Sequence, residues 1–162
     1  MRRGRDIPGV MSFMSVTIFV DTNVLVYRRD AGVAEKQSRA QAWMERLWAE
    51  RTGRLSYQVL QEYYVTVTSK LKPGLEVEAA RNDVRALLAW HPVTVDAAVV
   101  ESAWAVQDRY GLSWWDAQIV AAAQAADCQF LLTEDLQEGQ VLGAVRVVNP
   151  FSNLPDSILS KV

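Results

Sequence analysis

Apolar positions along the chain fall into two kinds of run. Val16–Val20, Phe130–Leu132 and Val145–Val148 are short and continuous, with many β-branched residues. Such runs predict strands covered on both faces. Elsewhere the apolar residues recur at helical spacing. Glu35–Arg51 places Ala40, Trp43, Met44, Leu47 and Trp48 on one stripe, and Glu76–Trp90 does the same with Val77, Ala80, Val84, Leu87 and Leu88. Asp96–Tyr110 opens on an acid and closes at Gly111, and the Ala-rich segment Ser113–Ala126 reads as a central helix. Asn23–Arg29 predicts a short helix or turn, and Pro92–Val95 a short strand. Leu55–Leu71 carries both signals. Tyr63–Thr68 is dense in strand formers, yet Leu60, Tyr63, Tyr64, Val67 and Leu71 keep the helical period. The period predicts a helix over Gln58–Lys70, stopped by Pro73-Gly74.

Strands alternating with helices predict an α/β fold, with a central, mainly parallel sheet covered by helices on both faces. The 162 residues suit one domain, since domains commonly run to roughly 100–200 residues. The expected organisation is an extension over residues 1–13, a domain over 14–150 and a tail over 151–162. The basic start followed by an apolar run superficially resembles a secretion signal. However, Asp6, Pro8 and Gly9 separate the two parts, and the apolar run leads directly into Asp21. No run approaches the roughly 20 residues of a membrane helix.

Composition narrows the chemistry mainly by exclusion. The one cysteine, Cys128, rules out an internal disulfide and a cysteine zinc site, and is compatible with a reducing cytoplasm, the expected location. The one histidine, His91, precedes a proline and reads as a loop residue, which closes off histidine triads and histidine-rich metal sites. Basic residues concentrate in the first half of the chain and acidic ones in the second, an asymmetry that permits a phosphate-binding face without requiring one.

Most acids, including Glu45, Glu50, Glu76, Glu78, Asp83 and Glu101, have polar or basic neighbours and read as solvated helix faces. Four have different surroundings. Asp21 follows a buried strand in "IFVDTNVLVY", and Glu62 lies among apolar helical residues in "YQVLQEYYV". Asp116 follows two tryptophans in "LSWWDAQIV", and Asp135 lies just past a strand in "QFLLTEDL". Helix caps and turns would account for Asp21, Asp116 and Asp135 one at a time. No cap accounts for Glu62.

In a parallel sheet, residues just past the strand ends gather on one edge, where ligands usually bind. Two unit charges ~4 Å apart repel by roughly 4 kcal/mol at an effective dielectric near 20. Carboxylates meeting there therefore call for protonation or a cation. Oxygen ligands without nearby histidine or cysteine favour Mg²⁺ or Mn²⁺ over zinc. Phosphodiester hydrolysis is the chemistry that uses such a cluster.

"VDTNVLVY", "LSYQVLQEYYVTVTSKL", "GLSWWDAQIVAAA" and "LLTEDL", in that order and spacing, resemble a PIN-domain nuclease, and the small size resembles the VapC-type toxins of toxin–antitoxin pairs. The resemblance spans about Val16 to Pro150. It implies a three-layer α/β/α fold and Mg²⁺- or Mn²⁺-dependent cleavage of RNA. It assigns Asp21, Glu62, Asp116 and Asp135 as catalytic and metal-binding, with Asn23 and Thr133 in support. It also implies an antitoxin partner and a homodimer. Arg28, Arg29, Lys36 and Arg39 follow the first motif and are candidate RNA-phosphate contacts. Two other readings stay open: an RNA-processing nuclease of the same fold without an antitoxin, and a non-catalytic RNA-binding or interaction module whose acids are caps.

Overall fold

The computed structural model describes residues 16–162. The expected extension over residues 1–13 lies outside them. Five strands form one sheet in the order β2-β1-β3-β5-β4: β1 (Ile18–Val20), β2 (Gly53–Arg54), β3 (Phe130–Leu132), β4 (Val141–Leu142) and β5 (Val145–Val148). All neighbours run parallel except the β4–β5 pair, which is antiparallel. The central strands are largely buried, with Ile18, Phe19, Val20, Leu131, Leu132, Val147 and Val148 in the core, Phe130 half-buried and Arg146 exposed.

Seven α-helices complete the three layers. They are α1 (Thr22–Arg29), α2 (Ala34–Glu50), α3 (Tyr57–Val65), α4 (Val77–Leu87), α5 (Ala97–Tyr110), α6 (Trp114–Ala125) and α7 (Pro155–Leu159). The chain leaves β1 towards β2 through α1 and α2, then crosses back to β3 through α3 to α6. Helices α1 to α4 pack on one another, while α5 packs on α6, which lies against β3 and β5. The reversal falls between β1 and β3, the switch point where open α/β sheets bind ligands. Val20, Leu132 and Val148 are paired in register, so these three strands end together.

The sequence signals translate into elements with a few exceptions. Along α2 the stripe Ala40, Trp43, Met44 and Leu47 is buried, while Trp48 is half-buried against Trp90 with ring centroids 5.0 Å apart. Helix signal wins in the ambiguous region, and α3 passes into a π-helical turn over Thr66–Lys70 that keeps Val67 buried. Helix α4 ends sooner than expected and tightens into a 3₁₀ turn over Leu88–Trp90. That turn leaves the 3.6-residue period, so Leu88 is exposed rather than inward. Val77, the first residue of α4, is also exposed.

Pro92–Val95 is not a strand. Val93 makes one isolated bridge, to Ser56, and the sheet edge is β2 instead. Two residues are too few for a hydrophobic pattern, and β2 is set by packing: a Cβ on Gly53 would stand 2.5 Å from the Trp90 ring. The tail beyond Pro150 includes α7, and Trp43 Nε1 donates to the carbonyls of both Pro150 (3.2 Å) and Asn153 (2.9 Å). No helix among the described residues is long and apolar enough to cross a membrane.

Candidate active site

Asp21 and Thr133 occupy equivalent positions, each the first residue beyond a buried parallel strand. Their backbones stay in the ladder: Asp21 N–H donates to the Leu132 carbonyl, and Thr133 N–H to that of Val148. Side chains join them as well. The Thr133 hydroxyl donates to Asp21 Oδ2 at 2.8 Å, and the other carboxylate oxygen, Oδ1, accepts the Thr22 N–H at 2.7 Å. Asp21 is therefore also the N-cap of α1, so the capping reading and the site reading describe the same carboxylate.

Asn23, the second residue of α1, connects the next acid. Its Nδ2 lies 3.1 Å from Asp135 Oδ2, 3.2 Å from Thr133 Oγ1 and 3.4 Å from Asp21 Oδ2. An amide donor thus stands among three oxygen acceptors, while its own Oδ1 is buried without a partner. The turn carrying Asp135 is fixed by its N–H, which donates to Thr133 Oγ1. Glu62 arrives from α3. The Thr22 hydroxyl donates to its Oε2 at 2.9 Å, and Gln58 Nε2 donates to its Oε1 at 3.0 Å.

These surroundings press on Asp21. Burial pushes its carboxyl up from 3.8 to about 7, against the hydrogen bonds from Thr133 and Thr22 and with the aid of the charges on Asp135 and Glu62. Desolvation therefore outweighs the repulsion between carboxylates that the sequence suggested as the main cost. The group is a carboxylate poised to ionise near neutral pH, in a place that rewards a counter-cation.

Asp116 lies apart from this network. It is half-buried in the first turn of α6, where its N–H donates to the Ser113 hydroxyl at 3.2 Å. Among the described residues its carboxylate forms no hydrogen bond or ion pair. The helix is thus capped by Ser113, and the acid is left over from that role. Among the described residues no three carboxylates are placed close enough to bind a single ion as they stand. Asp21 and Asp135 are joined through the Asn23 amide instead.

The basic candidates are largely engaged elsewhere. Arg29 pairs with Asp83 at 2.5 Å and Arg28 with the same carboxylate at 3.5 Å, while Lys36 pairs with Glu134 at 2.6 Å and lies over the Tyr27 ring. Arg39 forms no ion pair among the described residues. Asp83 itself is not a solvated helix acid, as its neighbours suggested. It is a half-buried hub that also accepts a bond from the Tyr63 hydroxyl. Burial works against its charge, but Arg29 and Tyr63 outweigh that and hold the carboxyl below its usual range.

Thr22 and Gln58 have direct contacts to Glu62 that were not read from the sequence. Gln58 was within reach, because it stands four residues before Glu62 on one helix face. Thr22 gave no such signal, since it meets Glu62 only through the packing of α1 on α3.

A family model of the PIN domain matches residues 18–138. Among solved structures, a toxin–antitoxin complex from Klebsiella pneumoniae is 21% identical, with a TM-score of 0.58, over 83% of this chain and 98% of that one. VapC20 of Mycobacterium tuberculosis, described as a sarcin-ricin-loop-cleaving toxin, is 24% identical, with a TM-score of 0.54, over 74% and 90%. A third structure, from Pyrobaculum aerophilum, is 17% identical with a TM-score of 0.50. No curated protein sequence matches. With the family match running from the first buried strand, through the acids that follow it, to the turn that carries Asp135, the chain belongs to the PIN-domain family.

Proposed function

We propose that the protein is a divalent-cation-dependent endoribonuclease that acts as the toxin of a toxin–antitoxin pair. The observation that carries this reading is the joining of Asp21, Asp135 and Asn23 at the ends of β1 and β3, with Glu62 drawn to the same place by Thr22. The toxin assignment is supported by the likeness to two toxin structures.

Oxygen donors alone, around a carboxyl whose charge is penalised by burial, fit a hard cation such as Mg²⁺ or Mn²⁺. Asp21 and Asp135 would hold it. Asn23 would join them by turning its carboxamide over, which replaces a donor with the now unpartnered Oδ1. Glu62 and Asp116 would complete the set from α3 and α6. When bound, such an ion lowers the pKa of water and offsets charge growing on the phosphate.

The chain's own residues prepare for this. Thr133 and the Thr22 N–H hold the Asp21 carboxylate in one orientation and favour its charged form. Glu62, held on both oxygens by Thr22 and Gln58, would orient an attacking water or take its proton. Asp116, whose carboxylate has no structural bond to lose, is free to serve the site.

The test is cleavage of single-stranded RNA by the purified protein with Mg²⁺, Mn²⁺ or EDTA. Activity is expected with either metal and is expected to vanish in Asp21→Asn and in Asp116→Asn. Cleavage that persists in both variants would refute the reading. Relief of growth arrest on co-expressing the product of an adjacent reading frame is the expected sign of the antitoxin. Unimpeded growth with the active protein alone would remove the toxin assignment.

A further inference from the structure

A second feature of the site has no role in the hydrolysis just described. Trp115 sits beside Asp116 in the first turn of α6, and the ring is 62% exposed. Its neighbour Trp114 packs on Trp104, with centroids 6.3 Å apart. Trp115 instead forms one wall of a cleft of about 520 Å³ whose other walls include Tyr57, Gln58, Gln61, Glu62 and Gln118.

The chemistry of those walls is specific. Among the described residues no lysine or arginine lines the cleft, and Glu62 does, so a phosphate is disfavoured there. Three carboxamides, an acid and two aromatic rings favour a flat, neutral ligand with hydrogen-bonding edges. Among the described residues, two of the carboxamides have a carbonyl without a partner. Gln118 is only 7% exposed, and its Oε1 is buried without a hydrogen bond. Gln58 donates to Glu62, but its Oε1 is likewise buried and unpaired. Buried carbonyls of this kind are stabilised by N–H donors, and the amino groups of nucleobases are such donors.

We propose that this cleft is a nucleobase subsite, in which an unpaired base of the RNA stacks on Trp115 and presents its edge to Gln118 and Gln58. The proposal rests on the ribonuclease reading and deepens it. Glu62 belongs to both the cleft and the acid site, so a base seated here brings its own phosphodiester to the acids. Only a base free of its own helix can reach an aromatic wall in this way, so the substrate class is single-stranded RNA or a loop.

The test compares wild type, Trp115→Phe and Trp115→Ala in EDTA, where binding is read without cleavage. The probes are a short labelled single-stranded RNA of mixed sequence and the same RNA annealed to its complement. Stacking on one aromatic ring is expected to be worth about tenfold in affinity or more. Trp115→Ala should therefore weaken single-stranded binding by about that factor, with Trp115→Phe close to wild type and duplex binding weak throughout. RNA should quench tryptophan emission in wild type and lose most of that quench in Trp115→Phe. Thermal melts of the variants should match wild type, because the ring is exposed.

Equal single-stranded affinity in wild type and Trp115→Ala would overturn the subsite. So would a Trp115→Ala protein that binds RNA normally but no longer self-associates in sedimentation, which would assign the ring to a protein interface. The two readings separate cleanly. A protein that binds with the quench yet never cuts RNA would sink the nuclease reading and support the subsite. Undiminished cutting and binding by Trp115→Ala would do the reverse.

Discussion

Replacing Asp21 by asparagine should make the metal-free protein more stable at pH 8 and remove most of its pH dependence between about 5 and 7. In the folded chain the Asp21 carboxyl is pushed up to about 7 by burial, with smaller contributions from Asp135 and Glu62, against an ordinary value of 3.8. Because the folded pKa is the higher one, the unfolded chain gives up its proton first as pH rises. Below about pH 4 both states hold the proton and no penalty exists. Between the two values folded stability falls, and above about 7 the loss is complete.

At about 1.4 kcal/mol per unit, the full penalty is ~4 kcal/mol. Asparagine escapes it, but has one acceptor oxygen for the two donors that Asp21 accepts, the Thr22 N–H and the Thr133 hydroxyl. The raised pKa already includes what those donors give the charged form, so the remaining loss is one neutral hydrogen bond, about 0.5–1.5 kcal/mol. The expected net gain at pH 8 is therefore about 3 kcal/mol, with the two curves crossing on the acid side. Urea unfolding in EDTA, followed by circular dichroism at half-unit steps from pH 4 to 8, measures it. Parallel curves for the two proteins across pH 5–7 would refute the account, as would an Asp21→Asn protein less stable than wild type at pH 8.

Three further outcomes are expected. Mg²⁺ should raise the melting temperature of wild type at pH 8, and do so much less for Asp21→Asn, since a ligand stabilises only the state that binds it; differential scanning calorimetry reads both. Asp83→Asn should destabilise by about 1–3 kcal/mol by leaving Arg28, Arg29 and Tyr63 a single neutral acceptor oxygen in place of their shared carboxylate. Because the Asp83 carboxyl is held low, its stabilising effect is present at neutral pH and lost as pH falls through that lowered value, so the variant and wild type should converge in acid unfolding. Ser113→Ala should cost about 1 kcal/mol as a lost cap, measurable in urea, and should lower cleavage by loosening the turn that carries Asp116.

The sheet and most helices could be read from the chain because burial on two faces and burial on one stripe leave different periods. β1 and β3 carry the first and α2 the second, while α6, buried without a break from Ala117 to Ala123, showed as an apolar, Ala-rich run. β2 and β4 escaped because two residues have no period, and Gly53 is chosen by the ring of Trp90 rather than by any neighbour in sequence. At the site, Asp21 and Asp135 stood out because they follow buried strands, and Glu62 because a charge inside an apolar helical stripe has no local purpose, whereas Asn23 and Thr133 came only with the resemblance to the PIN motifs. The Asp83 hub was not. Its partners come from α1 and α3, far away in the chain, and Arg81, Asn82 and Arg85 around it gave it the look of a solvated face. The same distance hid the engagement of Arg28 and Arg29, which looked available for phosphate and are instead tied to that acid.

The indole of Trp43 bears on where a shortened version of this protein can end. Its indole N–H, fully buried, is satisfied among the described residues by the carbonyls of residues 150 and 153. The family match stops at residue 138, ahead of two strands that complete the sheet. A chain cut after residue 150 would keep every strand, yet lose the Asn153 acceptor and uncover the ring. For expression vectors and fusion junctions, the safe boundary is therefore set by the second carbonyl that closes over this tryptophan, and a linker belongs beyond α7.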